Sequence, residues 1–130
     1  MEYDHNILVV DDSLTMRRII KNTLQKLGFK NFLEGSNGVE ALDVMGKSDE
    51  QIDLIILDWN MPEMDGLEYL KAIRSSDEYK NIPVLMVTTE AAKEDILTAL
   101  KHGVNNYIVK PFTPDTLKTK VFKLLGLKDE

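Results

Sequence analysis

The chain has 130 residues and a net charge of −6, from 22 acidic against 16 basic side chains, an acidic balance that argues against a nucleic-acid partner. That length suits one domain able to bury a core without staples, and 43% hydrophobic with 29% charged content is ordinary for a soluble globular protein. With no cysteine there are no disulfides, thiolate metal sites or cysteine nucleophiles, and with neither a basic leader nor a long apolar stretch no signal peptide or membrane span is expected, which makes the cytoplasm the expected compartment.

Ile7-Leu8-Val9-Val10 reads as the first strand, closed by Asp11-Asp12. A helix is predicted from Ser13 to Leu27, because Met16, Ile20, Leu24 and Leu27 keep helical spacing and Gly28 supplies a stop. Asn31 to Glu34 is a short second strand, placed at the sheet edge. A helix over Val39 to Met45 follows, with Ala41, Leu42 and Met45 inward and Gly46 ending it. Ile52 to Leu57 is the third strand, closed by Asp58 and the loop Trp59-Asn60-Met61-Pro62, and the next helix carries Leu67, Leu70 and Ile73 on its apolar face.

Asn81-Ile82-Pro83 leads into a fourth strand, Val84 to Val87, closed by Thr88, and a helix spans Ala91 to His102. Gly103 and Asn105-Asn106 turn the chain into the fifth strand, Tyr107-Ile108-Val109, closed by Lys110-Pro111. The last helix has Thr113 as N-cap, Pro114 at its first position, and Leu117, Val121 and Leu124 on its buried side. Strands and helices that alternate five times define an α/β class with a parallel sheet, doubly wound with helices on both faces. No repeat, low-complexity tract or linker interrupts it. The sequence leaves the strand order open, 2-1-3-4-5 being one possibility.

In open parallel sheets the ligand crevice lies at the carboxyl ends of the strands. Asp11, Asp12, Asp58, Thr88 and Lys110 all close strands, so three carboxylates, a hydroxyl and an ammonium should converge on one rim. Each alone has a plainer role: Asp12 as a helix cap, Asp58 as a turn residue, Thr88 as a cap, Lys110-Pro111 as loop punctuation. Four such sites on four strands of one sheet make chance a poor account. Asp58 is the natural nucleophile toward a phosphoryl group, forming an acyl phosphate. A dianionic donor would meet like charges costing about 4 kcal/mol per pair at an intermediate dielectric. A magnesium ion removes that obstacle, with Asp12 and Asp58 as direct ligands, Asp11 in an outer shell and the Asn60 main-chain carbonyl adding an oxygen. Lys110 and Thr88 would then offset phosphoryl charge.

These residues, with Asp58-Trp59-Asn60-Met61-Pro62-Glu63-Met64-Asp65-Gly66-Leu67, Ser13-Leu14-Thr15-Met16-Arg17-Arg18 and Val84-Leu85-Met86-Val87-Thr88, resemble the receiver domain of two-component response regulators, and its stand-alone chemotaxis members in particular. The resemblance covers essentially the whole chain. It implies a single receiver domain over 1–130, with its core at about 5–126 and no output domain, and the flavodoxin-like order 2-1-3-4-5 with five helices. It implies that Asp58 accepts a phosphoryl group from a chemotaxis histidine kinase, with Asp11, Asp12, Asp58 and Asn60 holding Mg2+ and Thr88 and Lys110 reading the phosphoryl. By the same resemblance Lys110-Pro111 is a cis peptide, Tyr107 is an aromatic switch, and Asn60 and Glu90 tune dephosphorylation.

The implied output face is the fourth helix, fifth strand and fifth helix, with Ala91, Lys93, Tyr107, Val109, Phe112, Lys120 and Lys123 meeting a flagellar motor switch protein. Where well-known members have two adjacent lysines, this chain has Ala92-Lys93. A dedicated phosphatase and a monomeric state complete the expectation of a phosphoacceptor switch rather than an enzyme. Trp59 is the expected reporter of metal binding. Three other readings compete: a receiver in a different phosphorelay, a phosphatase working through an aspartyl phosphate, and a flavin-binding electron carrier. Such phosphatases want an acid/base Asp where this chain has Asn60. A flavin phosphate would be repelled by Asp11-Asp12.

Overall fold

Apolar runs separated by amphipathic stretches become five strands and five helices in strict alternation: β1 (Tyr3–Val10), α1 (Leu14–Leu27), β2 (Phe29–Gly35), α2 (Gly38–Lys47), β3 (Leu54–Leu57), α3 (Gly66–Arg74), β4 (Val84–Thr88), α4 (Lys93–Lys101), β5 (Asn106–Val109) and α5 (Pro114–Leu125). The structure is a computed structural model that describes residues 2–128; Met1, Asp129 and Glu130, inside the expected domain limits, lie outside the described residues. All neighbouring strands pair in parallel, in the expected order β2-β1-β3-β4-β5.

The period-2 alternation of the strands sorts their side chains into two cores. Leu8 and Val10 of β1 join Ala41 and Met45 of α2, Tyr69, Leu70 and Ile73 of α3, and Ala99 of α4. Ile7 and Val9 join Ile20 and Leu24 of α1 and Leu117, Val121 and Phe122 of α5 on the opposite face. A one-residue slip of β1 would exchange its two side-chain sets, and because both faces are packed that slip has no low-energy form. The register also sets which residues stand at the carboxyl rim.

The helix signals read from sequence hold at two ends: Gly28 takes the left-handed conformation after α1 at φ 112°, and Thr113 caps α5 with Pro114 as its first residue. At the start of α1 the cap is Ser13 rather than Asp12, its hydroxyl accepting from the Met16 N–H at 3.1 Å. Elsewhere the limits move for local reasons. β2 runs from Phe29 rather than Asn31, because β1 begins at Tyr3 and pairs it with Phe29 across a register shift. β3 starts at Leu54, two residues late, where the Asp53 carboxylate takes the Asn6 N–H at 2.7 Å. Gly46 does not end α2, which continues to Lys47. α4 begins at Lys93, because Ala92 stands at its N-cap without a side-chain bond.

The entry to α3 brings two backbones into contact. Asp65 and Glu68 form a reciprocal capping box, and the Gly66 N–H donates to the Trp59 carbonyl at 2.8 Å. A Cβ on Gly66 would meet the Asp58 carbonyl oxygen and sit 2.8 Å from Trp59 Cα, neither of which can retreat as a flexible side chain could. Gly66→Ala is therefore expected to lower stability by about 1–3 kcal/mol, the usual cost of overpacking, measured by urea denaturation.

Candidate functional site

Main-chain bonds extend the ladder past the apolar runs and fix the rim residues. The Asp11 N–H donates to Gly35, the Asp58 N–H to Val10, and the Lys110 N–H to Thr88. Among the described residues, the buried polar or charged side chains are Asp11 at 2%, Asp58 at 7% and Thr88 at 0% exposure. All three stand at strand ends singled out from the sequence. Buried polar groups require partners, and here Lys110 and main-chain N–H groups supply them.

The Lys110 ammonium lies 2.8 Å from Asp11 Oδ2 and 3.6 Å from Asp58 Oδ2, so it bridges the two carboxylates and sits closer to Asp11. The Ser13 N–H donates to Asp11 Oδ1 at 2.9 Å and the Trp59 N–H to Asp58 Oδ1 at 2.8 Å. The Lys110-Pro111 peptide is cis. Burial pushes the Asp58 carboxyl above its ordinary range, and the neighbouring Asp11 charge adds to that; Lys110, the Thr88 hydroxyl and the Trp59 N–H oppose the rise without cancelling it.

Asp11, Asp12 and Asp58 each present one carboxylate oxygen, all within 4.8 Å of one another. Clustered oxygens with Asp12 open to solvent match a small hard cation that keeps several waters. The donor set fits magnesium, and the three carboxylates form an acidic pocket that could hold it.

The remaining predicted residues form a chain leading away from Asp58. The Asn60 side chain donates to Glu90 Oε1 at 2.8 Å. The Glu90 N–H donates to Thr88 Oγ1 at 3.4 Å, and the Tyr107 hydroxyl donates to the Glu90 carbonyl at 2.8 Å. Burial, then the charges of Asp95, Glu90 and Asp58, push the Tyr107 phenol up to about 12, so it stays a donor at any physiological pH. Glu90 thus touches Asn60, Thr88 and Tyr107, a bridging position that the strand-end pattern does not reveal.

On the sheet edge formed by β5, Ala91, Lys93, Val109 and Lys123 are exposed while Phe112 and Lys120 are half-buried. Leu97 at 54% and Leu100 at 45% exposure add apolar surface on α4. These two leucines were not singled out from the sequence. Half-buried Trp59 packs against the core that contains α3.

A topology and a rim of this kind define a class of protein. The sequence model of the response regulator receiver domain matches residues 7–122, and the chain belongs to that family, the receivers of two-component signalling. Within it the chain is similar to chemotaxis proteins. It is 58% identical over 120 residues to a chemotaxis protein CheY homolog of Campylobacter jejuni, covering 92% of each chain. It is 56% identical over 125 residues to chemotaxis protein CheY1 of Helicobacter pylori, covering 95% of this chain and 98% of that one. The solved chemotaxis response regulator CheY4 of Vibrio cholerae superposes with a TM-score of 0.85 at 37% identity, over 95% of this chain and all 100% of that one. A receiver domain of a sensor histidine kinase from Pseudomonas aeruginosa, with a magnesium ion coordinated in its active site cleft, superposes with a TM-score of 0.84 at 25% identity, over 95% of this chain and 99% of that one.

The raised Asp58 carboxyl has a consequence for folding. The folded state holds this proton more tightly than the unfolded chain does, so the residue's contribution is most favourable below the ordinary carboxylate range and is lost as pH rises through the folded value. Asp58→Asn, which keeps the shape without the charge, is expected to raise stability at neutral pH. The gain should shrink as pH falls toward the ordinary carboxylate range, read by urea denaturation in the presence of a chelator.

Proposed function

We propose that the protein is a phosphorylation-controlled switch of chemotaxis in which Asp58 is the phosphoacceptor. The observation that carries this reading is the burial of Asp58 beside Asp11 and Thr88, with the Lys110 ammonium shared between the two carboxylates. The donor is a phosphorylated histidine of a chemotaxis kinase. An Asp58 oxygen bonds to phosphorus as the bond from phosphorus to the histidine nitrogen breaks, leaving an acyl phosphate on Asp58. Asp11, Asp12, Asp58 and the Asn60 main-chain carbonyl would hold magnesium, which when bound neutralises the charge that gathers on the phosphoryl oxygens. Lys110 swings from Asp11 toward those oxygens, and the Thr88 hydroxyl donates to one of them.

Thr88 carries the event outward. Its hydroxyl oxygen accepts from Glu90, and Glu90 accepts from Tyr107, so a shift of Thr88 toward Asp58 draws on the loop that starts α4 and on the switch tyrosine together. The readout face is α4, β5 and α5. Ala91, Lys93, Tyr107, Val109, Phe112, Lys120 and Lys123 suit an acidic amphipathic segment of a flagellar motor switch protein, and exposed Leu97 and Leu100 widen the apolar part of that face. A dedicated phosphatase would reset the mark. The chain works as a cytoplasmic monomer through its receiver domain. The amide of Asn60, two residues beyond Asp58, supplies no second acid/base group, which favours a lasting mark over catalytic turnover. The chemotaxis names of the relatives support the pathway.

Magnesium followed by acetyl phosphate should change Trp59 fluorescence in two steps. Asp58→Asn should lose the second step and a chelator should abolish both; a full donor response in Asp58→Asn would sink the assignment of the acceptor. Phosphorylated protein used as bait in lysate should recover a flagellar switch component. Recovery of a phosphotransferase alone would favour a receiver in another phosphorelay.

A further inference from the structure

Asp11 is held at both of its main-chain polar groups. Its N–H donates to the Gly35 carbonyl at 3.1 Å. Its carbonyl, the acceptor of the Asp11–Asp12 peptide, accepts from Arg17 Nη1 in the first turns of α1. Arg17 is mostly buried, with 14% of its side chain exposed, and its Nε donates at 3.0 Å to Oε1 of Glu34, the residue just before Gly35. Lys21 fills the other Glu34 oxygen, Oε2, at 3.0 Å. The last two residues of β2 therefore grip Asp11 twice, directly through Gly35 and indirectly through a guanidinium moored on Glu34. Partial burial pushes the Glu34 carboxyl up, but the hydrogen bonds from Lys21 and Arg17 outweigh it and hold the group below its ordinary value, so it remains an anion.

We propose that Arg17, anchored by Glu34, is a positioning residue for divalent-cation binding at the acidic pocket, fixing the Asp11–Asp12 peptide so that both carboxylates face Asp58. The inference rests on the proposed magnesium site at Asp11, Asp12 and Asp58. It acts through the backbone: the peptide that Arg17 grips links the two acidic residues, and its plane sets the direction in which Asp12 leaves the strand. A fork that donates to two acceptors at once suits this task, and a lysine could serve only as a point donor.

Charge and geometry make opposite demands here, which allows a test by sign. A guanidinium near a dication repels it, so removing Arg17 should tighten magnesium binding if charge alone matters. If Arg17 positions Asp11 and Asp12, its removal should weaken binding, by the roughly 10-fold or more that loss of an outer-shell partner brings. Glu34 is paired with both cations, which mutes the field that Arg17 exerts on the pocket and leaves geometry as the larger effect.

The experiment is a magnesium titration of the full chain, read by Trp59 fluorescence and by calorimetry, with chelator-treated thermal melts to show that each variant is folded. Arg17→Met and Arg17→Lys are both expected to bind magnesium about 10-fold more weakly. Glu34→Gln, whose amide oxygen still accepts from Nε, should lose less. Asp12→Ala tests the site itself. Wild-type affinity or tighter binding in Arg17→Met, with binding lost in Asp12→Ala, overturns the positioning role and leaves the metal site standing. Binding untouched by Asp12→Ala, or absent from the wild-type chain, overturns both. Should Arg17→Met fail to fold, unchanged affinity in Arg17→Lys and Glu34→Gln together overturns the proposal.

Discussion

Three carboxylates with oxygens inside 4.8 Å of one another repel, and the rest of the site is organised around containing that repulsion. At such separations each ionised pair costs about 4 kcal/mol at an effective dielectric near 20, a large share of the roughly 5–15 kcal/mol that holds a typical domain together. The fold meets the cost in parts. Lys110 lies between Asp11 and Asp58, the Ser13 and Trp59 amides donate to the same two side chains, and Asp12 is left in solvent. Burial, with the Asp11 charge that remains uncompensated added to it, raises the Asp58 carboxyl. A site that is short of positive charge suits a cation, and on the proposed reading the same shortage makes any anion added to Asp58 compete for Lys110.

Much of this was legible in the sequence because it follows from strand ends. Four apolar runs each stop at a polar residue, and a parallel sheet can only deliver those residues to one edge, so Asp11, Asp58, Thr88 and Lys110 needed no tertiary information. The sheet order was not legible from periodicity; it came from resemblance, and it decides that Glu34 of β2 stands beside β1 and within reach of Arg17. Contacts that depend on pairing across distant segments leave no local pattern. The Tyr69 hydroxyl on Met45 Sδ and the Asn60 amide on Glu90 are of that kind. The left-handed Glu63, at φ 67°, was missed for a different reason: it sits in a local turn closed by the Met64 N–H on the Pro62 carbonyl, and a glutamate carries no sequence signal for that conformation. Helix limits failed where two signals competed: Gly46 read as a stop, but no neighbour crowds it and α2 runs on by one residue.

Glu90 is where the site and the surface meet. Its side chain, N–H and carbonyl are bound to three different residues, from the loop after β3, the end of β4 and β5. Hydrogen bonds through one residue cannot all be kept when one partner moves, because each has a narrow range of length and angle. On the proposed reading, Thr88 cannot turn toward a phosphoryl group without releasing or dragging Glu90, and Tyr107 holds the Glu90 carbonyl with a proton that no physiological pH removes. The linkage is then a matter of geometry rather than titration.

On the proposed reading, the energetic weakness of α4 suits it to carry the message. α3 buries Tyr69, Leu70 and Ile73, and α5 buries Leu117, Val121 and Phe122, whereas α4 fully buries Ala99 alone and leaves Leu97 and Leu100 in solvent. A buried Leu or Ile is worth about 1.5–3 kcal/mol and an alanine methyl much less. α4 also lacks a side-chain cap at Ala92, which costs it about 1 kcal/mol more. Its other end is held differently: the Arg74 guanidinium donates to the Gly103 carbonyl at 2.8 and 3.0 Å and to Asn105 Oδ1 at 3.0 Å, tying the turn after α4 to the end of α3. A helix fixed at its far end and lightly held at its near end yields first where Glu90 adjoins it. The apolar side chains it already exposes are then the ones whose arrangement changes with the least loss to the core.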